Sequence, residues 1–296
     1  MEISVKLWNK ALPTRRFRPL PPPQMPAAAP ADALTLQFPP SMHWRAVGTL
    51  QGLCLHSQAA PGSQLVSEAM AMADQGLLGD RYANRLSPRQ VLLAGIDAYR
   101  DLQLPPSTLR ENLLIDGPTA SLTSGSLLRI GPEVVLWITF QCEPCARLEQ
   151  CQPGVVKALK GRRGTLARVL QGGMLRVGDA ICQGPAPIPP LSDDWKGRIV
   201  DIVRRIPAGK RVGYGQLAEL AGVAKGYCRA FPRVLSQWCP DTAERAQAGV
   251  VTHAQERWEG TELFDVHALL AAQAARHGMG VQTVAWAAQG FPEKTR

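Results

Sequence analysis

The chain has 296 residues, of which 45% are hydrophobic and 19% charged, with a formal net charge of +9. That length and balance predict about two globular domains with buried cores and exclude fibrous and wholly disordered classes. No run of about 18 apolar residues occurs, so no membrane-spanning helix is expected, and the positive charge favours an anionic contact: a phosphate-bearing cofactor, a nucleic acid or an acidic surface.

The N-terminal stretch MEISVKLWNKALPTRRFRPLPPP lacks the long apolar core of a secretory signal, so a cytoplasmic location with reduced thiols is expected. Its arginine-rich, acid-poor character is also compatible with organelle import. Residues 1–43 read as a Pro-rich tail, because PLPPPQMPAAAPADALTLQFPP cannot pack a core. A first folded domain is expected over 44–184, a linker over 185–194 where prolines interrupt a short polar run, and a second domain over 195–296. In the first domain AVGTLQGLCL, RQVLLAG, NLLIDG, LLRIG, VVLWITF and MLRVGDAI read as strands closed by Gly, Asp or Pro. Helices are expected in GIDAYRDLQL and VVKALKG, and the whole suggests a β-barrel with small helical decorations.

The second domain changes character. Ile199, Ile202, Val203 and Ile206 fall at helical spacing and form one apolar stripe. A turn follows, then a short helix QLAELAG stopped by Gly222, then a second helix in KGYCRAFPRVLSQW in which Pro232 sits near the start or kinks it. Helix, turn, short helix, second helix is the helix-turn-helix order. A final amphipathic helix is expected through LFDVHALLAAQAARHGM.

The seven cysteines are odd in number and unevenly spread, which argues against a disulfide framework. Three of them, Cys142, Cys145 and Cys151, lie in TFQCEPCARLEQC, where a strand leaves the barrel and Pro144 breaks it before Cys145. Structural zinc needs two more ligands nearby, and neither a second C-x-x-C nor paired histidines occur in this segment. A dithiol redox pair usually opens a helix in a βαβ setting, which this pattern does not offer. A nucleophilic or metal-ligating thiol remains, with Arg147 beside it to favour the thiolate, and buried structural cysteines are the alternative.

GLLGDRYA (76–83), RQVLLAG (89–95), RENLLIDG (110–117), SGSLLRIG (124–131), CEPCARLE (142–149) and RRGTLARVLQGGMLRVGD (162–179) occur in one order and spacing. Together they resemble the MOSC domain, the molybdenum-cofactor sulfurase C-terminal domain family, over about residues 45–183. The resemblance implies a β-barrel that binds molybdenum cofactor (molybdopterin) or carries sulfur for it. It implies Cys145 as the sulfur carrier or molybdenum ligand, since Cys145 matches the family's Pro-Cys-x-x-Leu pattern, with Cys142 an additional thiol. Thiolate suits soft molybdenum or persulfide sulfur, and a pterin phosphate calls for guanidinium and amide donors. Arg81, Arg89, Arg110, Asn112 and Arg168 lie inside the matched motifs and are the expected cradle, with Asp80 and Glu111 able to orient the arginines or cap turns.

WKGRIVDIVRRIPAGKRVGYGQLAELAGVAKGYCRAFPRVLSQ is similar to the winged-helix-like DNA-binding domain of alkylguanine DNA alkyltransferases and their alkyltransferase-like relatives, over about residues 195–237. That resemblance implies DNA or RNA contact through Tyr214 at a phosphate and Arg229 in the base stack. The acceptor motif Pro-Cys-His-Arg is absent: VVTHAQ places Thr252 at the acceptor position and keeps His253, so alkyl transfer to a thiol is excluded. The fold expected is therefore α+β and multidomain, a MOSC barrel followed by a small helical winged-helix-like domain. The function expected is molybdenum-cofactor binding, in sulfur transfer or in molybdenum-dependent reduction of N-hydroxylated compounds. A separate electron-donor or sulfur-donor protein is implied as partner, since the chain carries no flavin or iron–sulfur domain. The alternative is a non-catalytic binding or docking protein.

Overall fold

The computed structural model describes residues 43–57 and 62–269. The Pro-rich tail and most of the expected C-terminal amphipathic helix lie outside the described residues; of that helix, residues 266–269 are helical. Among the described residues no helix is long and apolar enough to cross a membrane.

Seven strands close into a mixed barrel. Strand β1 (Arg45–Leu55) pairs antiparallel with β11 (Ala180–Gln183) through its first half and with β6 (Leu113–Ile115) further along. From β11 the ring runs through β7 (Leu127–Ile130), β8 (Val134–Gln141), β9 (Thr165–Gln171) and β5 (Val91–Gly95) back to β6. The β5–β6 pairing is parallel, which the intervening helix α1 (Ile96–Leu102) permits as a crossover. Strand β2 (Gln64–Val66) pairs antiparallel with the end of β1. Strands β3 (Glu68–Met72), β4 (Gly76–Leu77) and β10 (Gly173–Arg176) make a separate small sheet. MLRVGDAI is thus two strands and not one: β10 belongs to the small sheet, Gly178 turns the chain at φ +97°, and β11 enters the barrel.

Side-chain alternation builds the barrel core. Val134, Leu136 and Ile138 point inward with Ala167, Val169, Leu128 and Ile130. The other face of β8 is buried as well, since Val135 and Trp137 belong to a core shared with Ile199, Val203, Leu217 and Phe231 of the C-terminal unit. Burial on both faces explains why VVLWITF is an unbroken apolar run. Helices α1, α2 (Ala146–Cys151) and α3 (Val155–Leu159) share a third cluster through Ala98, Tyr99, Leu148, Val155 and Leu159.

The segment expected as a linker is a packed strap. Leu127 N–H donates to the Pro185 carbonyl at 3.1 Å, Leu191 N–H to Ser124 Oγ at 2.8 Å and Gln141 N–H to Asp193 Oδ1 at 2.9 Å. Gly125, at φ +86°, lets the strap lie close, because a Cβ there would stand 2.1 Å from the Ile188 carbonyl oxygen.

Helix α4 (Trp195–Arg205) starts at Asp194, whose carboxylate accepts the Lys196 N–H, and buries the expected stripe. Helix α5 (Tyr214–Leu220) stops at Gly222, which takes φ +63°. Helix α6 (Phe231–Trp238) carries Pro232 in its first turn, so the proline starts the helix and does not kink it. Strands β12 (Val212–Gly213) and β13 (Ala246–Gln247) pair in parallel. Among the described residues of this unit the strand pair is parallel, and no antiparallel pair is present.

Candidate functional site

The thiol loop begins where β8 ends. Cys142 N–H is still held by the Gly164 carbonyl at 2.8 Å, and Pro144 then frees the chain before α2. The two thiols of C-x-x-C have opposite fates. Cys142 is 5% exposed and packs with Leu92, Phe140 and Leu166. Its sulfur accepts from Arg89 Nη2 at 3.6 Å and faces the Glu143 carbonyl at 3.8 Å. Cys145 is exposed, in extended backbone at the N-cap of α2. The side chains of Arg147 and Cys151 lie outside the described residues. Cys54 is a third kind: burial pushes its thiol up to about 11, which makes it inert.

Beside this loop lies a polar cluster organised by the buried carboxylate of Asp80. It accepts the backbone N–H groups of His56 and Tyr82 at 2.8 Å each and the Asn112 side-chain amide at 2.8 Å. Asn112 in turn holds Leu92 N–H through Oδ1 at 3.1 Å and donates to the Cys54 carbonyl at 3.2 Å. Its amide is therefore committed to tying β6, β1 and β5 together, and Leu92 connects the cluster to the Cys142 pocket. His56 sits within hydrogen-bond distance of the Arg110 carbonyl through Nε2 (3.1 Å) and of Ser63 Oγ through Nδ1 (3.2 Å). The carbonyl can only accept, which assigns the proton to Nε2 and leaves Nδ1 to accept from Ser63. Burial lowers the imidazole below its ordinary value and favours this neutral form.

Arg110 occupies a left-handed turn at φ +54° and donates to the Tyr82 hydroxyl at 3.1 Å. Arg81 is exposed and lies 5.7 Å from the Tyr82 ring. These two arginines and Tyr82 form an accessible cationic rim. Arg89 is half-buried and divides its guanidinium between Cys142 and the Gly222 carbonyl (3.0 Å). Arg168 is elsewhere: 1% exposed, it donates to the Arg85 and Ser87 carbonyls at 3.0 and 2.7 Å and stacks 4.0 Å under the Phe264 ring. Burial lowers it to about 10, so it stays charged at neutral pH, inside the seam between the two units. Of the two roles expected for these carboxylates, orienting an arginine or capping a turn, Asp80 takes the second, since its carboxylate accepts the Tyr82 N–H two residues on. Asp80 fixes backbone and amide donors, and Glu111 accepts from the Tyr99 hydroxyl at 2.5 Å.

His56, Ser63 and Tyr82 were not singled out by sequence reasoning. Tyr82 lies within GLLGDRYA and was available as a signal, whereas His56 directly follows a strand and has no motif of its own. In the C-terminal unit Tyr214 packs edge-on against Phe231 at 5.5 Å, and burial raises its hydroxyl. Arg229 is exposed in the 3₁₀ turn Lys225–Ala230 that precedes α6, not in the helix itself. Thr252 and His253 are exposed beyond β13.

The MOSC domain family model matches residues 80–182, a span that contains every candidate of the barrel from Asp80 to Arg168. Among solved structures, similarity extends to YuaD from Bacillus subtilis at 19% identity, covering 48% of this chain and 98% of that one with a TM-score of 0.42. It extends also to YiiM from Geobacillus stearothermophilus (15% identity, 65% and 100% covered, TM-score 0.39) and to YiiM from Escherichia coli (17%, 73% and 99%, 0.38). No curated protein matches the chain.

Proposed function

We propose that this chain, whose residues 80–182 match the MOSC domain, a family associated with the molybdenum cofactor, binds that cofactor with Cys145 as its protein thiolate. The observation that carries the reading is the split in the C-x-x-C loop, which buries Cys142 and exposes Cys145. The donor set suits the group: one accessible soft ligand for the metal, and the Arg81–Arg110 rim for a phosphate. When bound, the cofactor supplies two-electron chemistry at the metal or a transferable sulfur. The chain's own residues do the holding. Arg81 and Arg110 bind the anionic end, Tyr82 orients Arg110, and the Asp80–Asn112 hub keeps β1, β5 and β6 in register beneath them.

Reduction of an N-hydroxyl group to N–H consumes two electrons and two protons and releases water, so that activity calls for a separate electron-donor protein. Sulfur transfer calls for a sulfur-donor protein instead. Anaerobically purified protein distinguishes the readings: molybdenum and pterin fluorescence that disappear with Cys145→Ser and persist with Cys142→Ser support cofactor ligation. A persulfide on Cys145 without molybdenum supports sulfur carriage. Neither signal, with a folded chain, leaves the non-catalytic binding protein. A second reading concerns the C-terminal unit, where Lys225, Arg229 and Arg233 are all exposed along one short segment and favour an anionic partner such as DNA or RNA.

A further inference from the structure

The C-terminal unit meets the barrel beside the thiol loop. Two arginines, one from each unit, converge on consecutive carbonyls where α5 ends. Arg89 of the barrel donates to Gly222 at 3.0 Å, and Arg198 of α4 donates to Ala221 at 2.8 Å. The last carbonyls of a helix have no intrahelical partner, so both donors fill an existing need. Each arginine then reaches back to the thiol pocket. The second nitrogen of Arg89 donates to Cys142 Sγ, and the Arg198 guanidinium lies 3.7 Å over Phe140, which packs against Cys142. Leu191 of the strap leans on the same cluster. Asn84 of the barrel donates to the Glu219 carboxylate, a third clamp on α5.

Gly222 makes the approach possible. It holds φ +63°, and a Cβ there would lie 2.9 Å from Arg89 Cγ and from Pro88 Cγ. The α5 terminus therefore rests directly on the stem of the arginine that holds the sulfur. With both its acceptor and its donor contact filled, Cys142 is closed off, while Cys145 three residues on is open.

We infer that the C-terminal unit is a seal on the thiol loop, which withholds Cys142 from the chemistry and assigns it to Cys145, with Arg89 and Gly222 as the positioning residues. This rests on the reading of the loop as the chemical centre and adds to it a role for the fused unit. Without the seal, C-x-x-C spacing would leave two competent thiols side by side.

The test is N-ethylmaleimide labelling of the full-length protein, with each cysteine followed separately by peptide mass spectrometry. In the wild type Cys145 labels far faster than Cys142. Gly222→Ala and Arg89→Ala each speed Cys142 labelling about tenfold, the scale of losing one or two buried hydrogen bonds. Cys54 and Cys239, buried in the barrel and in the C-terminal core, keep their wild-type rates and report that the fold is intact. The double variant labels Cys142 no faster than the quicker single one, because both act through one contact. Wild-type Cys142 as reactive as Cys145, folded variants with slow Cys142, or multiplied effects in the double variant would each overturn the inference. Where Cys54 and Cys239 also become reactive, Arg89→Lys decides: it keeps the charge and stem but lacks a planar fork to bridge sulfur and carbonyl. Selective exposure of Cys142 in that variant supports the seal, and its absence overturns it. Loss of molybdenum with this labelling pattern intact defeats the cofactor reading alone, and the reverse result defeats the seal alone.

Discussion

The rim beside Asp80 and the seam between the two units are both rich in arginine, yet they use it in opposite ways. At the rim Arg81 and Arg110 meet aromatic and hydroxyl groups and keep donors facing solvent. In the seam Arg168 and Arg198 are 1% and 4% exposed, each donates to two or more backbone carbonyls, and their planes lie on Phe264 and Phe140. A buried guanidinium surrounded by carbonyls ties segments together, whereas an accessible one can exchange water for an incoming anion. The strongest way to break this contrast is Arg168→Ala. It removes the donor from the Arg85 and Ser87 carbonyls and uncovers Phe264, so unfolding free energy should fall by roughly 2–4 kcal/mol, the sum of two charge-assisted hydrogen bonds and lost packing. A denaturant titration showing a loss below about 1 kcal/mol would return Arg168 to the surface class.

Glu111 sharpens the same contrast from the acidic side. Its carboxyl is buried, one oxygen has no partner, and burial pushes it up to about 7 from an ordinary 4.5. The folded chain then keeps a proton that the unfolded chain has released. Stability falls as pH rises from about 4.5 to 7 and levels off above that. Glu111→Gln keeps an acceptor for Tyr99 and removes the ionisation. Its gain should be near zero at low pH and grow to roughly 3 kcal/mol above neutrality, read from chemical unfolding at several pH values. A pH-independent difference would place the carboxyl's titration outside this window.

At the rim the expectation reverses, with binding lost and stability kept. Arg110→Ala leaves the left-handed backbone cost in place, because both residues carry a Cβ, so the variant isolates the guanidinium. Loss of a charge-assisted contact to a phosphate, about 1.5–3 kcal/mol, should weaken cofactor binding about ten- to hundredfold with little change in melting temperature. Arg81→Ala should do the same. Unchanged affinity in both would make the rim an ordinary solvated surface.

What could be read in advance follows from how local the cause is. The barrel strands were legible because period-two burial and Gly or Pro stops are written into each segment, and Pro144 announced a thiol just past a strand end. Pro232 gave a helix start for the same reason. Arg168 was not legible: an arginine on β9 looks the same whether its outward face meets water or Phe264, and only the docking of a distant segment decides. The burial of Cys142 depends likewise on Leu92, Leu166 and Leu191, which other segments bring to it. Splitting MLRVGDAI into two strands required knowing that β3 and β1 lie on different sheets to receive the halves.

The smallest expected effect tests whether the C-terminal unit offers an accessible basic surface as well as a seal. Lys225, Arg229 and Arg233 are exposed on the segment that leads into α6, while Tyr214 is held inward against Phe231. Tyr227 is exposed between Lys225 and Arg229, so contact with nucleic acid would be made through phosphates with one ring available for stacking, and would carry little sequence preference. The full-length protein should then bind duplex DNA weakly, with affinity falling steeply as salt rises, because each neutralised phosphate releases counterions. Arg229→Ala should cost about threefold in affinity and lower the salt slope by about one, the signature of a single phosphate contact. Arg176→Ala, on the small sheet and facing Glu68, should change neither. A larger loss at Arg229 that varies with sequence would favour insertion of its side chain into the base stack. Titrations without salt-sensitive binding to DNA or RNA would leave docking against the barrel as the work of this unit.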